Sequence, residues 1–213
     1  MLIQNFIDKI KNHKVNFNPK IILDIGSRDL EQSIEFYTIY PESKIYAFEP
    51  NQSQYNICKN LAQNYSDRIE VFDLALSDKN GTSDFYITHG NIGASSLLKP
   101  WDIPFASNTP VSKTQVNTIT LDSWMLDRGI DKIDVIWMDV QGAELSVLKG
   151  LSTLKSVSYI HCEASQVPYY ENHTVKNELE TYLKDNGFEL EFNLAVGHPY
   201  GEGDYVAINK NIL

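Results

Sequence analysis

Short runs of apolar residues alternate with longer amphipathic stretches along most of this chain of 213 residues. Runs rich in β-branched and aromatic residues are typical of buried strands, and apolar residues spaced by three and four are typical of helices packed on a core. The predicted strands cover residues 21–25, 45–49, 69–73, 134–139, 158–163, 188–192 and 205–208. Predicted helices begin near residues 31, 51, 143 and 175, and Gly150 is expected to end the third as a residue beyond its C-cap. This order predicts an α/β fold with a mainly parallel sheet.

The regular alternation breaks in the middle of the chain. Residues 82–88 alternate like an exposed strand, and residues 115–121 are predicted to be its partner. The intervening residues 89–112 are rich in Gly, Ser and Pro, and loops of this length are often lids or binding loops. Trp101 and Phe105 favour a segment that covers something, because exposed aromatic rings usually do. A disordered surface insertion is the alternative.

Length and composition indicate one domain. Hydrophobic residues make up 42% of the chain, enough for a substantial core. We therefore predict a single domain over residues 1–213, with an N-terminal helical extension over residues 1–18 and an inserted hairpin with a substrate lid over residues 82–121.

Charge narrows the possible partners. The formal net charge is −10, and no basic stripe is visible, so nucleic acid and anionic membrane surfaces are unexpected partners. The sequence shows no secretory signal and no run of transmembrane length, and Cys58 and Cys162 are expected to be reduced. These features favour a cytoplasmic protein.

Acidic residues stand at the ends of the first two predicted strands. Asp24 and Gly26 follow one apolar run, and Glu49 follows the next, roughly twenty residues later as in dinucleotide-binding folds. An Asp-x-Gly sequence allows a tight turn from strand to helix, and a strand-end Glu can accept hydrogen bonds from two ribose hydroxyls. The pattern predicts a cofactor of the adenosine type at the carboxyl ends of a parallel sheet. The alternative for each acid is an ordinary helix cap.

Six short motifs in this order resemble the FkbM family of S-adenosylmethionine-dependent methyltransferases. They are Asp24-Ile25-Gly26-Ser27, Phe48-Glu49-Pro50, Ala75-Leu76-Ser77-Asp78, Gly93-Ala94-Ser95-Ser96-Leu97, Thr120-Leu121-Asp122 and Asp139-Val140-Gln141-Gly142-Ala143-Glu144. The resemblance implies a Rossmann-like class I methyltransferase fold, in which a seven-stranded, mainly parallel sheet has its last strand antiparallel. It also implies S-adenosylmethionine as the cofactor and methyl transfer to a hydroxyl of a sugar, a glycan unit or a secondary metabolite.

The sequence departs from the family pattern in two places. Ser27, Arg28, Asp29 and Leu30 follow Gly26, where the family usually has further glycines. Gln141 stands where the family often has Glu, which removes one possible charge near the acceptor.

The resemblance assigns the cofactor to the first three strand ends. Glu49, followed by Pro50, would bind the ribose hydroxyls, and Asp24 would act on the methionine amine directly or through water. The remaining residues of the predicted cofactor site are Gly26, Ser27, Asp73, Leu74 and Ala75, of which the last three would lie beside the adenine.

The acceptor side is predicted at the next two strand ends. Asp139 is the leading candidate for the base, and Glu163 emerges in the same way from the following strand. His161 shares the face of Glu163, so the predicted catalytic residues are Asp139, Glu163 and His161. Two converging carboxylates suit a hard cation, so Asp139 and Glu163 could instead bind Mg²⁺. The alternative is that one of them caps a helix or pairs with a lysine.

Two other functions share parts of this pattern. A nicotinamide-dependent oxidoreductase would use the strand-end acid but needs a glycine pattern that this chain lacks. A non-catalytic protein that only binds S-adenosylmethionine would need no more than Glu49, Asp24 and Gly26.

Overall fold

A seven-stranded sheet forms the centre of the molecule in the computed structural model, which describes residues 3–101, 110–194 and 201–212. The chain has these strands: β1 (Ile21–Ile25), β2 (Lys44–Phe48), β3 (Ile69–Phe72), β4 (Ala75–Leu76), β5 (Gly81–Thr88), β6 (Val111–Ile119), β7 (Val135–Met138), β8 (Tyr159–Ala164), β9 (Phe188–Leu194) and β10 (Gly203–Asn209). The central sheet has the order β3-β2-β1-β7-β8-β10-β9, and β10 runs antiparallel to both of its neighbours. The predicted α/β fold with an antiparallel last strand is confirmed.

Helices cover both faces of this sheet, as expected for a parallel sheet. They are α1 (Ile3–His13), α2 (Glu31–Ile39), α3 (Gln52–Ala62), α4 (Leu121–Arg128), α5 (Glu144–Lys149) and α6 (Lys176–Asp185). One buried cluster joins the sheet to α4, α5 and α6, and a second joins it to α1, α2 and α3. No helix in the described part of the chain is long and apolar enough to cross a membrane.

Helix α1, which lies in the predicted N-terminal helical extension, forms part of the second core cluster. Phe6, Ile7 and Ile10 are fully buried. The Phe6 ring meets Trp137 edge-on, with 5.5 Å between the ring centroids, and lies 5.8 Å from His161. Helix α1 therefore supports the strands that carry the predicted acceptor side.

The inserted region contains a second, three-stranded sheet of order β4-β6-β5. Strands β5 and β6 pair antiparallel from Gly81 opposite Thr118 to Thr88 opposite Val111, so the partner strand begins earlier than residue 115. It ends at Ile119, because Thr120 caps α4 by accepting a hydrogen bond from Ser123 N. Phe105, one of the two aromatic residues expected in the lid, lies outside the described residues.

The described part of the predicted lid lies over the carboxyl edge of the central sheet. Ser96 pairs with Tyr86 of β5, and its hydroxyl donates to the backbone oxygen of Gln141 at 2.9 Å. Pro100 forms an isolated bridge with Tyr170. Residues on this segment can therefore contact whatever binds at the sheet edge.

Gly150 directly follows α5 as its C-cap and not as the predicted residue beyond the C-cap. Its φ of −73° is right-handed, so no left-handed C-cap motif requires glycine here. A Cβ at this position would lie 2.3 Å from the Ser77 carbonyl oxygen. Glycine is needed because α5 approaches the backbone beside β4.

Candidate active site

The turn after β1 brings two strand ends together at Gly26. Its φ is +83°, which favours glycine, and a Cβ there would lie 1.9 Å from the backbone oxygen of Asp139. The amides of Gly26 and Ser27 both donate to Phe48 O at 3.0 Å. The turn is therefore held between the end of β2 and the end of β7.

The turn keeps a left-handed backbone at two further positions that are not glycine. Arg28 has φ 49° and Leu30 has φ 64°. The three left-handed residues alternate along the turn, as the glycines of a glycine-rich turn would. The turn therefore has left-handed residues although Arg28 and Leu30 are not glycines.

Asp24 fixes this turn from beneath. Its Oδ2 accepts hydrogen bonds from the hydroxyls of Ser27 at 3.0 Å and Ser33 at 2.5 Å, and Asp24 is 1% exposed. Burial raises the pKa of Asp24 to about 6. Asp24 and Ser27, both predicted cofactor residues, thus contact one another and α2 below the cavity, while Gly26 lines it.

Glu49 is held with its carboxylate at the cavity wall. Oε2 accepts a hydrogen bond from Arg28 N at 2.9 Å, and Oε1 accepts one from Asn51 N at 2.7 Å. A carboxylate has about four acceptor positions, so two remain for a ribose diol. Burial raises the pKa of Glu49 to about 7, and the two backbone hydrogen bonds act against this rise.

Asn51 shows a second feature that fits an adenosine group. Its side-chain oxygen caps α3, and its Nδ2 is buried with no hydrogen-bond partner among the described residues. An unpaired buried amide donor costs stability. A ligand acceptor at this wall of the cavity would satisfy it after a small shift.

The end of β3 supplies the predicted adenine side. Leu74 and Ala75 line the cavity, whereas Asp73 is exposed to solvent. Phe85 and Leu97 of the inserted region complete an apolar wall. A flat heterocycle is the kind of group that such a wall can bury.

The acceptor side consists of alternate residues on three adjacent strands. Trp137 lies opposite His161, and Glu163 lies opposite Asp204 on the antiparallel β10. The His161 and Trp137 rings stack with centroids 3.6 Å apart and planes 7° apart. Asp139, His161, Glu163 and Asp204 all line the same cavity as Glu49.

Gln141 connects the two predicted catalytic carboxylates. Its Nε2 donates to Asp139 Oδ1 at 2.8 Å and to Glu163 Oε2 at 2.9 Å. The Tyr170 hydroxyl donates to Gln141 Oε1 at 2.9 Å and so fixes the orientation of the amide. Gln141 itself has φ 55°. The residue that departs from the family pattern therefore aligns both acids.

Burial and mutual repulsion set the charges of this pair. Burial, followed by the neighbouring charges of Asp139 and Glu202, holds the pKa of Glu163 far above its usual range. Burial also raises the pKa of Asp139, while the Gln141 hydrogen bond lowers it. Both carboxyl groups therefore keep a proton to higher pH than exposed carboxyl groups do, and the charge of Asp139 disfavours ionisation of Glu163.

His161 is a neutral ring at neutral pH, because burial lowers its pKa. Its Nε2 lies 3.0 Å from Asp204 Oδ1, which assigns the ring proton to Nε2. Its Nδ1 is buried without a hydrogen-bond partner among the described residues. Asp204 thus orients His161 from the next strand.

The predicted Mg²⁺ site has two carboxylates and an amide donor between them. Within the described ranges, no group of three or more His, Cys, Asp or Glu side chains is arranged to hold a metal ion. The amide nitrogen of Gln141 faces Asp139 and Glu163 and cannot bind a cation in this orientation. A metal there would require the amide to turn.

One open cavity of about 1120 Å³, a volume that includes its mouth, joins the cofactor side to the acceptor side. The predicted residues that line it are Gly26, Glu49, Pro50, Leu74, Ala75, Asp139, His161 and Glu163. Its size and its acidic wall suit a cationic nucleoside cofactor and a small acceptor together. Sequence reasoning missed Asp204 and Tyr170. The pairing of β10 with β8 brings Asp204 to the site, and Tyr170 lies in a segment that forms an isolated bridge with Pro100.

Comparisons with known proteins show the family of this chain. The family model described as the methyltransferase FkbM domain matches residues 24–190. The 2-O-methyltransferase NoeI of Sinorhizobium fredii (strain NBRC 101917 / NGR234) is 32% identical over 207 residues, which cover 90% of this chain and 80% of NoeI. Methyltransferase sdnD of Sordaria araneosa is 28% identical over 202 residues, covering 81% of this chain and 74% of sdnD.

Solved structures show the same fold at low sequence identity. Magnesium protoporphyrin IX methyltransferase from Synechocystis PCC 6803, with bound S-adenosylmethionine, matches with a TM-score of 0.55 at 12% identity, covering 97% of this chain and 79% of that one. The METTL16 methyltransferase domain matches with a TM-score of 0.56 at 13% identity, covering 97% and 67%. Both are methyltransferases, and the likeness concerns the fold alone.

Proposed function

This chain belongs to the FkbM methyltransferase family, and from that premise we propose that it methylates a hydroxyl group on a small acceptor, with a sugar or glycan unit as the leading class. S-adenosylmethionine is the methyl donor. The observation that carries the proposal is the single cavity that joins Glu49 to the Asp139–Glu163 pair. The similarity to a 2-O-methyltransferase supports oxygen as the methylated atom.

The cofactor side of the cavity holds a ribose and an adenine in this proposal. Glu49 accepts hydrogen bonds from both ribose hydroxyls, and Leu74 and Ala75 contact the adenine. Gly26 lines the cavity without a side chain, so the methionine end can lie along the β1 turn. Asp24 acts indirectly, since its hydrogen bonds to Ser27 and Ser33 hold the turn in place. When bound, S-adenosylmethionine would supply an electrophilic methyl group in this cavity, which Glu49, Asp139, Glu163 and Asp204 line.

The acceptor side positions the nucleophile and removes its proton. Protonated Glu163 donates a hydrogen bond to the acceptor, and ionised Asp139 accepts the hydroxyl proton as the new C–O bond forms and the C–S bond breaks. The sulfur keeps the bonding electron pair, so the products are the methyl ether and S-adenosylhomocysteine. Gln141 keeps the two acids at fixed positions, which is the kind of preorganisation that positioning catalysis requires.

Charge favours a neutral or cationic acceptor. Asp139, Glu163 and Asp204 all line the acceptor side, and the chain carries a net charge of −10. Phosphorylated or carboxylated acceptors would be repelled there. Trp101, 42% exposed at the edge of the described lid, offers an apolar ring face of the type that sugars stack on.

The first test is calorimetric titration with S-adenosylhomocysteine, with NAD⁺ in parallel. We expect micromolar binding of the first and none of the second, because Asp29 and Glu31 flank the helix start where a pyrophosphate would lie. Binding of NAD⁺ would contradict the proposal.

An acceptor screen follows, with neutral glycosides, their phosphorylated counterparts and secondary-metabolite alcohols. Each reaction is run with added Mg²⁺ and with a chelator. Transfer to hydroxyl groups without metal is expected. Transfer only to carboxylates or amines would overturn the assignment of a hydroxyl group as the nucleophile. Activity that depends on Mg²⁺ would indicate that a metal ion, and not Asp139 as the base, activates the hydroxyl.

A further inference from the structure

Arg28 stands out among the residues of the cofactor turn. It keeps a left-handed backbone with φ 49°, a conformation that side chains other than glycine, Asn and Asp rarely adopt. Its backbone N–H donates to Glu49, a contact that glycine would make equally well. The position therefore does not need a side chain for the turn itself.

Arg28 is the only Lys or Arg among the described residues that line the cavity. The charged groups around that cavity are otherwise the carboxyl groups of Glu49, Asp139, Glu163 and Asp204. Such a wall suits the sulfonium and the ammonium of S-adenosylmethionine. It offers the carboxylate of the same cofactor one cationic partner.

The guanidinium lies beside Gly93 in the inserted segment. A Cβ at Gly93 would lie 3.6 Å from Arg28 Nη1, which is an ordinary contact distance. Nε and Nη2 both contact Asp29 Oδ2 at 2.8 Å. Nη1 is the guanidinium nitrogen beside Gly93, and Arg28 and Gly93 both line the cavity.

We propose that Arg28 binds the carboxylate of the amino-acid end of S-adenosylmethionine and of S-adenosylhomocysteine. The bond is a charge-assisted hydrogen bond in a partly enclosed cavity. Asp29 competes with this carboxylate for the same guanidinium. The inference rests on the proposed function, since it requires this cofactor in this cavity.

The test compares S-adenosylhomocysteine with its decarboxylated form by calorimetry, in the wild-type protein and in R28G. The wild type is expected to bind the carboxylate-bearing ligand about tenfold more tightly, the size of one charge-assisted bond near solvent. R28G removes the guanidinium, keeps the N–H to Glu49 and relieves the left-handed strain. In R28G the preference should fall to about twofold or less, with a melting temperature no lower than that of the wild type.

Two variants act as controls. D29N removes the competing charge, while its Asn side-chain oxygen can still accept the Glu31 amide as Asp29 Oδ1 does at 3.3 Å. It should tighten S-adenosylhomocysteine about threefold and leave the decarboxylated ligand unchanged. R128A breaks a surface ion pair with Glu70, whose closest approach is 2.7 Å, and should change neither affinity.

The outcomes separate the two proposals. Equal weakening of both ligands in R28G, or no change in either, would overturn the role of Arg28 while leaving the cofactor in place. Failure of the wild type to bind S-adenosylhomocysteine would overturn the proposed function itself. The inference is supported if R28G loses the preference for the carboxylate-bearing ligand while R128A keeps it.

Discussion

At the scale of single residues, the proposed mechanism gives different charges to the two acids of the acceptor side. Asp139 and Glu163 receive hydrogen bonds from one amide group, and burial and neighbouring charges raise the pKa of Glu163. Two groups of one chemical type can then serve as base and hydrogen-bond donor.

This difference predicts unequal effects of two matched substitutions. D139N should lower kcat by about 10²–10⁴-fold, because it removes the base, and should change S-adenosylhomocysteine affinity by less than about threefold. E163Q should cost less than about tenfold at neutral pH, because an amide resembles a protonated carboxyl. Initial rates and calorimetry measure both. A larger loss in E163Q than in D139N would reverse the assigned roles.

Glu49 predicts a pH dependence of cofactor binding. Its pKa is about 7 in the free protein, and ribose hydroxyls donate to the ionised form. S-adenosylhomocysteine should therefore bind more tightly as pH rises from 6 to 8, by up to about tenfold per unit below the pKa, and reach a plateau above it. E49Q should bind more weakly and show no such dependence.

A second buried acid gives the matched control for this titration. Burial raises the pKa of Glu144 to about 7 as well, but its Oε1 accepts the amides of Val140 and Gly142 beneath the acceptor side. E144Q should keep the pH dependence of binding. If E144Q abolishes it and E49Q does not, the ribose contact has been assigned to the wrong acid.

The strand-end acids could be predicted from the sequence, and their partners could not. Glu49, Asp139 and Glu163 each follow a run of apolar residues, which places them at the sheet edge. Gln141 could be identified only as a departure from the family pattern, since its effect depends on a left-handed backbone and on Tyr170. That tyrosine comes from a segment 29 residues away in the chain.

At the scale of elements, short helices and close approaches are difficult to predict from the sequence. Helix α4, Leu121–Arg128, was not predicted although half of its residues are apolar, because it is only eight residues long and directly follows a strand. The early start of β6 was missed for a similar reason: its first five residues are all exposed and lack an apolar face. The predicted buried strands stand within about two residues of their observed bounds, because both their faces are apolar.

The approach of α5 to the β4 region predicts an unusual glycine effect. Alanine normally stabilises a right-handed position by about 0.4–1 kcal/mol, through the unfolded chain. G150A should instead lower the free energy of unfolding by about 2–3 kcal/mol, because its Cβ would overlap the Ser77 carbonyl oxygen. Urea denaturation measures the difference.

Gly129 supplies the comparison for this experiment. It has φ +63° after α4, and a Cβ there would meet nothing within 4 Å. G129A should cost about 1 kcal/mol, from the backbone conformation alone. A G150A protein as stable as the wild type would show that α5 and β4 can move apart.

At the scale of the whole molecule, buried carboxyl groups link stability to pH. The folded-state pKa values of Asp24, Glu49 and Glu144 are raised by burial to about 6, 7 and 7. The folded state therefore keeps protons that the unfolded chain releases from about pH 4 upward. The stability that these groups contribute is present below that pH and is lost as pH rises to about 7.

The free energy of unfolding should then be highest at acidic pH, below the range of about pH 5 to 8 in which most proteins are most stable. The free energy of unfolding, measured by urea denaturation, should fall by several kcal/mol from pH 5 to pH 7.5. D24N should reduce this slope, since an amide can still accept the serine hydroxyls and does not ionise. A midpoint that rises over this interval would contradict the raised pKa values.

The pairing at the far end of the hairpin has a practical consequence. Thr88 lies opposite Val111, and His89 N donates to Pro110 O at 2.8 Å, so the chain leaves and re-enters the small sheet at one point. The length between these residues can change without altering the register on either side, because loop closure depends only weakly on length. We therefore expect insertions or deletions within residues 102–109 to leave this register unchanged, whereas a graft over all of residues 89–110 would also replace Gly93, Ser96 and Leu97, which line the cavity.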